Sequence, residues 1–192
     1  MRIAIDARIA HYSRGGIRRY VLALLDALAG LDGDTDYLVL HSRRQRPLST
    51  PGPNFRAVRC WTPSHHRLER WALALEVARL RPDLLHSPDF MPPAFGYRRS
   101  VITVQDLAFL RYPHFLTARS RGYYNRQIRW AVSRADHLLA ISETTRQDLA
   151  SLLGIAPERV TVTHLAADPS FRPLAPEAVE QAITGYDLVR GY

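Results

Sequence analysis

The stretch "SVITVQDLAFLRYP", residues 100–113, decides the fold class. It opens with the run Val-Ile-Thr-Val, whose apolar and β-branched side chains are typical of a strand buried on both faces. Strands of this kind occur in parallel sheets that helices cover on both sides. The run then stops at a polar pair, Gln105 and Asp106, before apolar residues resume. A buried strand that ends on an amide and a carboxylate predicts that the core stops there and a cleft begins.

Predicted strands and helices alternate on both sides of this stretch. Apolar spacing predicts strands at residues 2–6, 37–41, 55–61, 84–86, 101–105, 136–142 and 159–165. It predicts helices at residues 17–30, 64–80, 117–134 and 143–153, with a weak helical pattern at 176–183. Residues 7–16 are predicted to be a polar loop. This alternation predicts an α/β protein with a Rossmann-like, doubly wound parallel sheet.

The inward faces of two helices follow from the same spacing. In the helix at 64–80 the residues expected to face the core are Leu68, Trp71, Leu75 and Ala78. In the helix at 117–134 they are Tyr124, Ile128, Ala131 and Ala135.

The composition is that of a soluble globular protein, with 46% hydrophobic and 23% charged residues among 192. No apolar run approaches the roughly 20 residues that span a bilayer. Asp6 comes too early for a signal peptide, so the expected compartment is the cytoplasm. The single cysteine, Cys60, excludes an intrachain disulfide and is expected to be a buried strand residue.

The positive net charge of +8 favours anionic partners. Every one of the 26 Lys and Arg positions is arginine. Coding bias would also explain the missing lysine, whose absence excludes Schiff-base and P-loop lysine chemistry. Six arginines lie on or near the helix at 117–134, namely Arg111, Arg119, Arg121, Arg126, Arg129 and Arg134. They are either a solvated face or a contact for an acidic membrane surface or a phosphate-bearing acceptor.

Polar residues follow five of the predicted strands. The first predicted strand ends at Asp6, the fourth at His86, the fifth at Gln105 and Asp106, the sixth at Ser142 and Glu143, and the seventh at His164. Carboxyl ends of parallel strands meet at one edge, where ligands bind. Each residue also has a structural explanation that involves no ligand. His86 would be a hydrogen-bonded core histidine, Asp106 a turn cap and Ser142 a helix N-cap. No Ser-His-Asp order, zinc-ligand spacing or nucleophile elbow is present.

A glycine pair, Gly15 and Gly16, precedes the first helix, with Arg18 and Arg19 just beyond it. Two glycines let the backbone approach a ligand, and the N-terminal N–H groups of a helix bind anions. The full dinucleotide fingerprint is absent, because Arg18 occupies the position of the next glycine. The pair is either an anion site or a turn.

Five segments resemble one known family in their order and spacing: "GGIRRYVLALLDAL", "LLHSPDFMPP", "VITVQDLAFLRYP", "ADHLLAISETTRQDL" and "GIAPERVTVTHLAADPSFRP". They look like the N-terminal domain of a GT-B fold, family-four glycosyltransferase of the mannosyltransferase-like group. The resemblance covers residues 1–173. It implies that residues 174–192 are an interdomain linker and that the C-terminal nucleotide-sugar-binding domain lies outside this chain, in cis or in trans.

The resemblance implies a retaining transfer of a sugar, with mannose favoured, from a nucleotide-sugar to a glycan or lipid-linked acceptor. It implies no obligatory metal and no cofactor, since the nucleotide-sugar is a substrate. Gly15, Gly16 and Arg18 would face the donor phosphates and sugar. Gln105 and Asp106 match the catalytic motif. The residues that would line the acceptor cleft are His86, Ser142 and Glu143. A cytoplasmic enzyme, peripheral at the inner membrane surface, is the expectation, with no nucleic-acid partner.

Two departures from the family pattern qualify that expectation. The family's His-Asp motif is here Gln105-Asp106, and an amide cannot carry a proton. No Arg/Lys pair followed by Glu-x7-Glu is present, so the isolated chain is predicted to be inactive. An alternative is a degenerate, non-catalytic module that binds a glycan, a lipid phosphate or a partner protein. A third is a basic nucleic-acid-binding domain with salt-dependent affinity, which no recognition motif supports.

Overall fold

The computed structural model describes residues 1–44, 50–168 and 170–184. The strands are β1 (Arg2–Asp6), β2 (Asp36–Ser42), β3 (Phe55–Cys60), β4 (Leu84–Ser87), β5 (Arg99–Val104), β6 (His137–Ala140) and β7 (Val160–Val162). The helices are α1 (Ile9–Tyr12), α2 (Gly16–Leu31), α3 (Glu69–Ala78), α4 (Ala108–Arg111), α5 (Ala118–Arg134), α6 (Glu143–Leu153) and α7 (Pro176–Thr184). All seven strands pair in parallel in the order β3-β2-β1-β4-β5-β6-β7, which confirms the predicted α/β, Rossmann-like sheet.

The strand register divides the core into two sides. On one side Ala4, Leu85 and Ile102 are fully buried beneath α3, α5 and α6. On the other side Ile5 and Val39 pack against Val21 and Leu25 of α2. Helices therefore cover both faces of the sheet, as its two-sided apolar strands require.

The predicted inward face of α3 is wrong for three of its four residues, and the fourth, Ala78, is half-buried. Leu68, Trp71 and Leu75 point to solvent, and the buried positions are Leu73, Ala74 and Val77. Both stripes have helical spacing, so periodicity alone does not choose between them. The inward face of α5 is confirmed, because Ile128, Ala131 and Ala135 are buried and Tyr124 is half-buried.

The predicted polar loop at 7–16 is also partly wrong, because it contains α1 and some of the most buried residues of the chain. Ala7, Arg8 and Ala10 are fully buried.

Cys60 is buried as expected, and burial raises the pKa of its thiol to about 12. The predicted linker begins as α7, while residues 185–192 of that linker lie outside the described residues. None of the helices in the described ranges is long and apolar enough to cross a membrane.

Candidate functional site

The carboxyl edge of the sheet has a topological switch point between β1 and β4. The chain leaves β1 towards β2 and β3 on one side, and leaves β4 towards β5, β6 and β7 on the other. In open parallel sheets the crevice at such a point is where ligands bind. The segments that follow these two strands, residues 7–16 and 88–94, therefore border the candidate site.

The glycine loop lies at this edge and leads into α2. Gly15 is the N-cap residue of α2, and its N–H donates to Ser13 Oγ at 3.2 Å. A Cβ atom added to Gly16 would meet no other atom within 4 Å, so packing within the chain does not require this glycine. Arg18 turns back, and its guanidinium donates to the carbonyl of Ala10. No other part of the described chain therefore packs against Gly16 at the start of α2.

Gln105 and Asp106 follow β5 at the same edge. The side-chain amide of Gln105 donates to the carbonyl of Pro88 at 3.3 Å, and the main-chain carbonyl of Gln105 accepts from Thr145 Oγ1 at 3.2 Å. Asp106 is exposed and accepts the N–H of Ala108 at 2.9 Å, the turn-capping bond that the sequence left open. Gln105 therefore ties the ends of β4 and β5 together.

His86 lies deeper than the other candidates, with 8% of its surface exposed. Its Nε2 is 2.9 Å from Thr103 Oγ1, which in turn lies 3.1 Å from the hydroxyl of Tyr20 on α2. Burial lowers the pKa of His86 to about 4, so the ring is neutral near pH 7. These are the contacts of a hydrogen-bonded core histidine, and a role in the acceptor cleft stays a prediction.

Ser142 is the N-cap of α6, as the sequence indicated, and its Oγ accepts the N–H of Thr145 at 3.1 Å. Glu143 is exposed and forms an ion pair with Arg146 at 2.7 Å within the first turn of the helix. Both residues lie at the carboxyl end of β6. Because β5 and β6 are neighbours, the structure brings this pair beside Gln105 through the Thr145 bond.

A buried ionic cluster at the switch point was not predicted. Arg8 donates to both carboxylate oxygens of Asp6 at 2.9 and 2.7 Å, to Glu69 Oε1 at 2.6 Å and to the carbonyl of Thr62 at 2.9 Å. All three charged side chains are buried. One guanidinium is shared by two carboxylates, and burial raises the pKa of Glu69 to about 7 although Arg8 opposes the shift.

His65 extends this cluster towards solvent. The main-chain N–H of His65 donates to Glu69 Oε2 at 2.6 Å, and the ring Nε2 of His65 lies 2.7 Å from Asp89 Oδ2. Burial alone lowers the pKa of His65, but the hydrogen bond and charge of Asp89 raise it overall. His65 has φ 59°, a left-handed conformation that costs free energy in a residue other than glycine. The loop that leads into α3 is thereby fixed against the loop after β4.

A surface depression of about 750 Å³ lies elsewhere, at the amino ends of the strands. Its rim includes Asp83, Arg98 and Arg99, which pair with one another or with Asp136. The topology favours the carboxyl edge as the ligand site, because the glycine loop and the ends of β4, β5 and β6 meet there. In the ranges that the structure describes, no group of three or more His, Cys, Asp or Glu residues is arranged to hold a metal ion.

Solved structures share this fold across the whole of the described chain. A glycosyltransferase from Rickettsia africae aligns over 99% of this chain with a TM-score of 0.57 and 15% identity. Anabaena Alr3699/HepE in complex with UDP-glucose aligns over 97% with a TM-score of 0.64 and 13% identity. The chain covers 50% of each of those proteins.

Sequence comparison points the same way. An O-antigen chain mannosyltransferase B from Escherichia coli is 23% identical over 129 residues, which is 67% of this chain and 32% of that protein. The family model described as Glycosyltransferase Family 4 matches residues 14–171, well over half of the sequence and from the glycine loop to beyond β7. The chain therefore belongs to Glycosyltransferase Family 4, with the Rossmann-like fold of an N-terminal GT-B domain.

Proposed function

We propose that this chain is the acceptor-side domain of a retaining glycosyltransferase. The enzyme would transfer a sugar, with mannose favoured, from a nucleotide-sugar to a glycan or lipid-linked acceptor at the cytoplasmic face of a membrane. The mannosyltransferase named above supports the choice of sugar, and the UDP-glucose complex supports a nucleotide-sugar donor. No metal or cofactor is invoked, because the leaving diphosphate would be stabilised by N–H groups and arginine.

The observation that carries the proposal is the open glycine loop. Gly16 begins a 16-residue helix at the carboxyl end of the interior strand β1, and apart from adjacent residues and the backbone of its own helix, no described atom lies within 4 Å of a Cβ placed there. The N-terminus of a helix of this length carries several unpaired N–H groups and a partial positive charge. A diphosphate approaching Gly15 and Gly16 would meet both. Arg18, held by Ala10, would stand one turn away.

A nuclear magnetic resonance titration tests this placement on the chain itself. We expect GDP-mannose or UDP-glucose to shift the amide signals of residues 15–18. Gly16→Glu should abolish these shifts, because a carboxylate at a helix N-terminus is compatible with folding but repels phosphate. Gly33→Glu is the matched control, since Gly33 is also exposed and free of neighbours but lies beyond the far end of α2. Shifts that survive Gly16→Glu would contradict the proposal.

The domain division is part of the proposal. Residues 1–173 would form the acceptor-side domain, and residues 174–192 would lead to a C-terminal nucleotide-binding domain. This division is supported by exposed apolar surface on the side of the sheet that α2 covers only in part. Val101 and Leu139 point to that side and are half-buried, whereas Ile102 and Leu138 on the other side are fully buried. A helix of the second domain would cover Val101 and Leu139.

A second candidate function is a degenerate module that binds without catalysis. Gln105 favours it, because its side-chain amide is engaged with Pro88 and cannot carry a proton. The test is sugar transfer by the chain together with its C-terminal domain, compared between wild type and Gln105→His. A gain of transfer in the variant indicates a weakened enzyme, and no transfer in either indicates a binding module. Transfer by residues 1–192 alone would overturn the prediction that the isolated chain is inactive.

A further inference from the structure

We propose that α3 and α5 together form a docking surface for an anionic phospholipid bilayer. The surface is called here the outer helix face, and its residues are Leu68, Trp71, Leu75, Arg119, Arg126 and Arg129. Arginines of α5 would bind lipid phosphates, and apolar side chains of α3 would enter the headgroup region. This inference rests on the proposed placement at a membrane and names the surface that would bind it, but it does not depend on sugar transfer.

The two helices lie side by side on the same face of the sheet. Leu85 of β4 is in register with Ser100 of β5, so Leu85 beneath α3 and Ile102 beneath α5 point to the same side. Arg70 of α3 joins the helices directly. Its guanidinium donates to Gln127 Oε1 and lies 3.8 Å from the centre of the Trp130 ring. Outward residues of α3 and α5 therefore share one surface.

The outward stripe of α3 is apolar and contiguous. Leu68, Trp71 and Leu75 are 62%, 60% and 60% exposed. Their spacing of three and four residues places them on one side of the helix, opposite Leu73 and Val77. The Trp71 ring also lies 6.4 Å from the exposed ring of Phe95. Single exposed apolar residues are ordinary, but a continuous stripe marks an interaction surface.

The outward stripe of α5 is cationic and open. Arg119, Gly122, Arg126 and Arg129 recur at intervals of three and four residues, and they line a depression of about 600 Å³. The sequence of α5 contains no Asp or Glu. In the described part of the chain, no carboxylate lies within ion-pair distance of these three arginines, whereas Arg98 and Arg99 at the amino edge are paired.

Gly122 lies between Arg119 and Arg126, in the second turn of α5, and a glycine inside a helix weakens it. A Cβ at this position would meet no other atom within 4 Å, so packing does not explain the residue. The missing side chain keeps the depression open between the two guanidinium groups. Guanidinium groups bind phosphate through paired hydrogen bonds, which makes the depression suited to a lipid phosphate.

The cationic stripe and the apolar stripe together favour an anionic bilayer over a soluble anion as the partner. Helices that lie in the membrane interface combine Trp and Leu with arginine, as this surface does. A polynucleotide or free phosphate would use the arginines but would leave Leu68, Trp71 and Leu75 in water. A bilayer uses both, because its phosphates lie directly above its acyl chains.

Vesicle flotation with two matched pairs of variants tests the proposal. The wild-type chain is expected to float with vesicles that contain phosphatidylglycerol and not with pure phosphatidylcholine. The double variant Arg119→Gln/Arg126→Gln should weaken partitioning by about 25-fold, from roughly fivefold for each arginine. The control Arg121→Gln/Arg134→Gln removes the same charge from exposed positions of α5 outside the depression and should weaken it far less.

The second pair tests the apolar stripe. Leu75→Ser should weaken partitioning, and Leu31→Ser should not, because Leu31 is 85% exposed at the end of α2 on the other side of the sheet. Thermal melts establish that all variants fold. Equal losses from both arginine pairs would overturn the proposal in favour of net-charge attraction. Binding to polyuridylate that depends on the arginines but not on Leu75 would overturn it in favour of a soluble polyanion. Because flotation uses no nucleotide-sugar, its failure is distinguishable from failure of the proposed transfer.

Discussion

Arginine occupies two opposite settings in this molecule. Arg8 is fully buried, and its donors reach Asp6, Glu69 and a backbone carbonyl. Arg119 and Arg126 are exposed on α5 and have no carboxylate partner among the described residues. The buried arginine uses its donors in hydrogen bonds and ion pairs within the domain. The exposed arginines leave their charge available to a partner outside the chain. This difference separates substitutions that unfold the domain from substitutions that change what it binds.

The largest expected effect is on Arg8. Arg8→Met leaves the Asp6 and Glu69 carboxylates buried without a counter-charge, so the free energy of unfolding should fall by about 3–5 kcal/mol. Arg126→Met is the matched control and should change it by less than about 0.5 kcal/mol. Urea denaturation followed by circular dichroism measures both. Similar values for the two variants would remove the contrast between the settings.

A smaller effect is expected from the pH dependence of His86, which is neutral in the fold. Its folded-state pKa of about 4 lies below the ordinary value of 6.5, so the unfolded chain binds the proton more readily between those limits. Stability should therefore fall as the pH is lowered from 6.5 to 4, with a slope from this residue of up to about 1.4 kcal/mol per pH unit. Glu69, whose pKa is raised to about 7, contributes a slope of opposite sign.

The variant His86→Gln isolates that contribution, because it replaces the titrating imidazole near Thr103 with a side-chain amide that does not titrate. Unfolding measured at several pH values should show that lowering the pH from 6.5 to 4 destabilises His86→Gln less than wild type. An unchanged slope would mean that His86 is protonated in the fold, contrary to its burial.

The smallest effect concerns two glycines in unlike settings. Gly122→Ala should stabilise the protein by about 0.5–1 kcal/mol, since it removes a helix-interior glycine and meets no neighbour. Gly96→Ala should destabilise it, because Gly96 has φ +103° and a Cβ there would lie 2.7 Å from the backbone N of Ala78. Thermal melts compare the two. A stabilising Gly96→Ala would contradict the described packing of its loop on α3.

The elements of the fold could be predicted because each signal is local. The apolar run before Gln105 predicts β5, and the Ser142 cap predicts the start of α6; both are confirmed. The orientation of α3 could not be predicted, because it carries two apolar stripes with the same spacing. The stripe at Ala74 is buried, with the Gly96 loop close against the backbone of α3, a contact that periodicity does not encode.

The position of the candidate site could be predicted, but its contacts could not. Parallel topology alone brings Gly16, His86 and Gln105 towards one region, because each follows or ends a strand. The bond from Arg8 to Glu69 joins residues 61 positions apart, and that from His65 to Asp89 joins residues 24 apart. A charged residue near a strand end gives no sign that it will be buried. Only the assembled sheet brings its partners together.

The central place of β1 has a consequence for how the domain folds. Its neighbour β2 comes soon after it in the chain, but its other neighbour is β4, and the N–H of Arg2 donates to Asp83 across 81 residues. Among the described strands, no other neighbours are so far apart in sequence. Closing so long a loop costs entropy before its contacts form, which slows folding. We therefore expect the pairing of β1 with β4 to form late in folding, so that the crevice above it takes shape only when the two halves of the sheet have met.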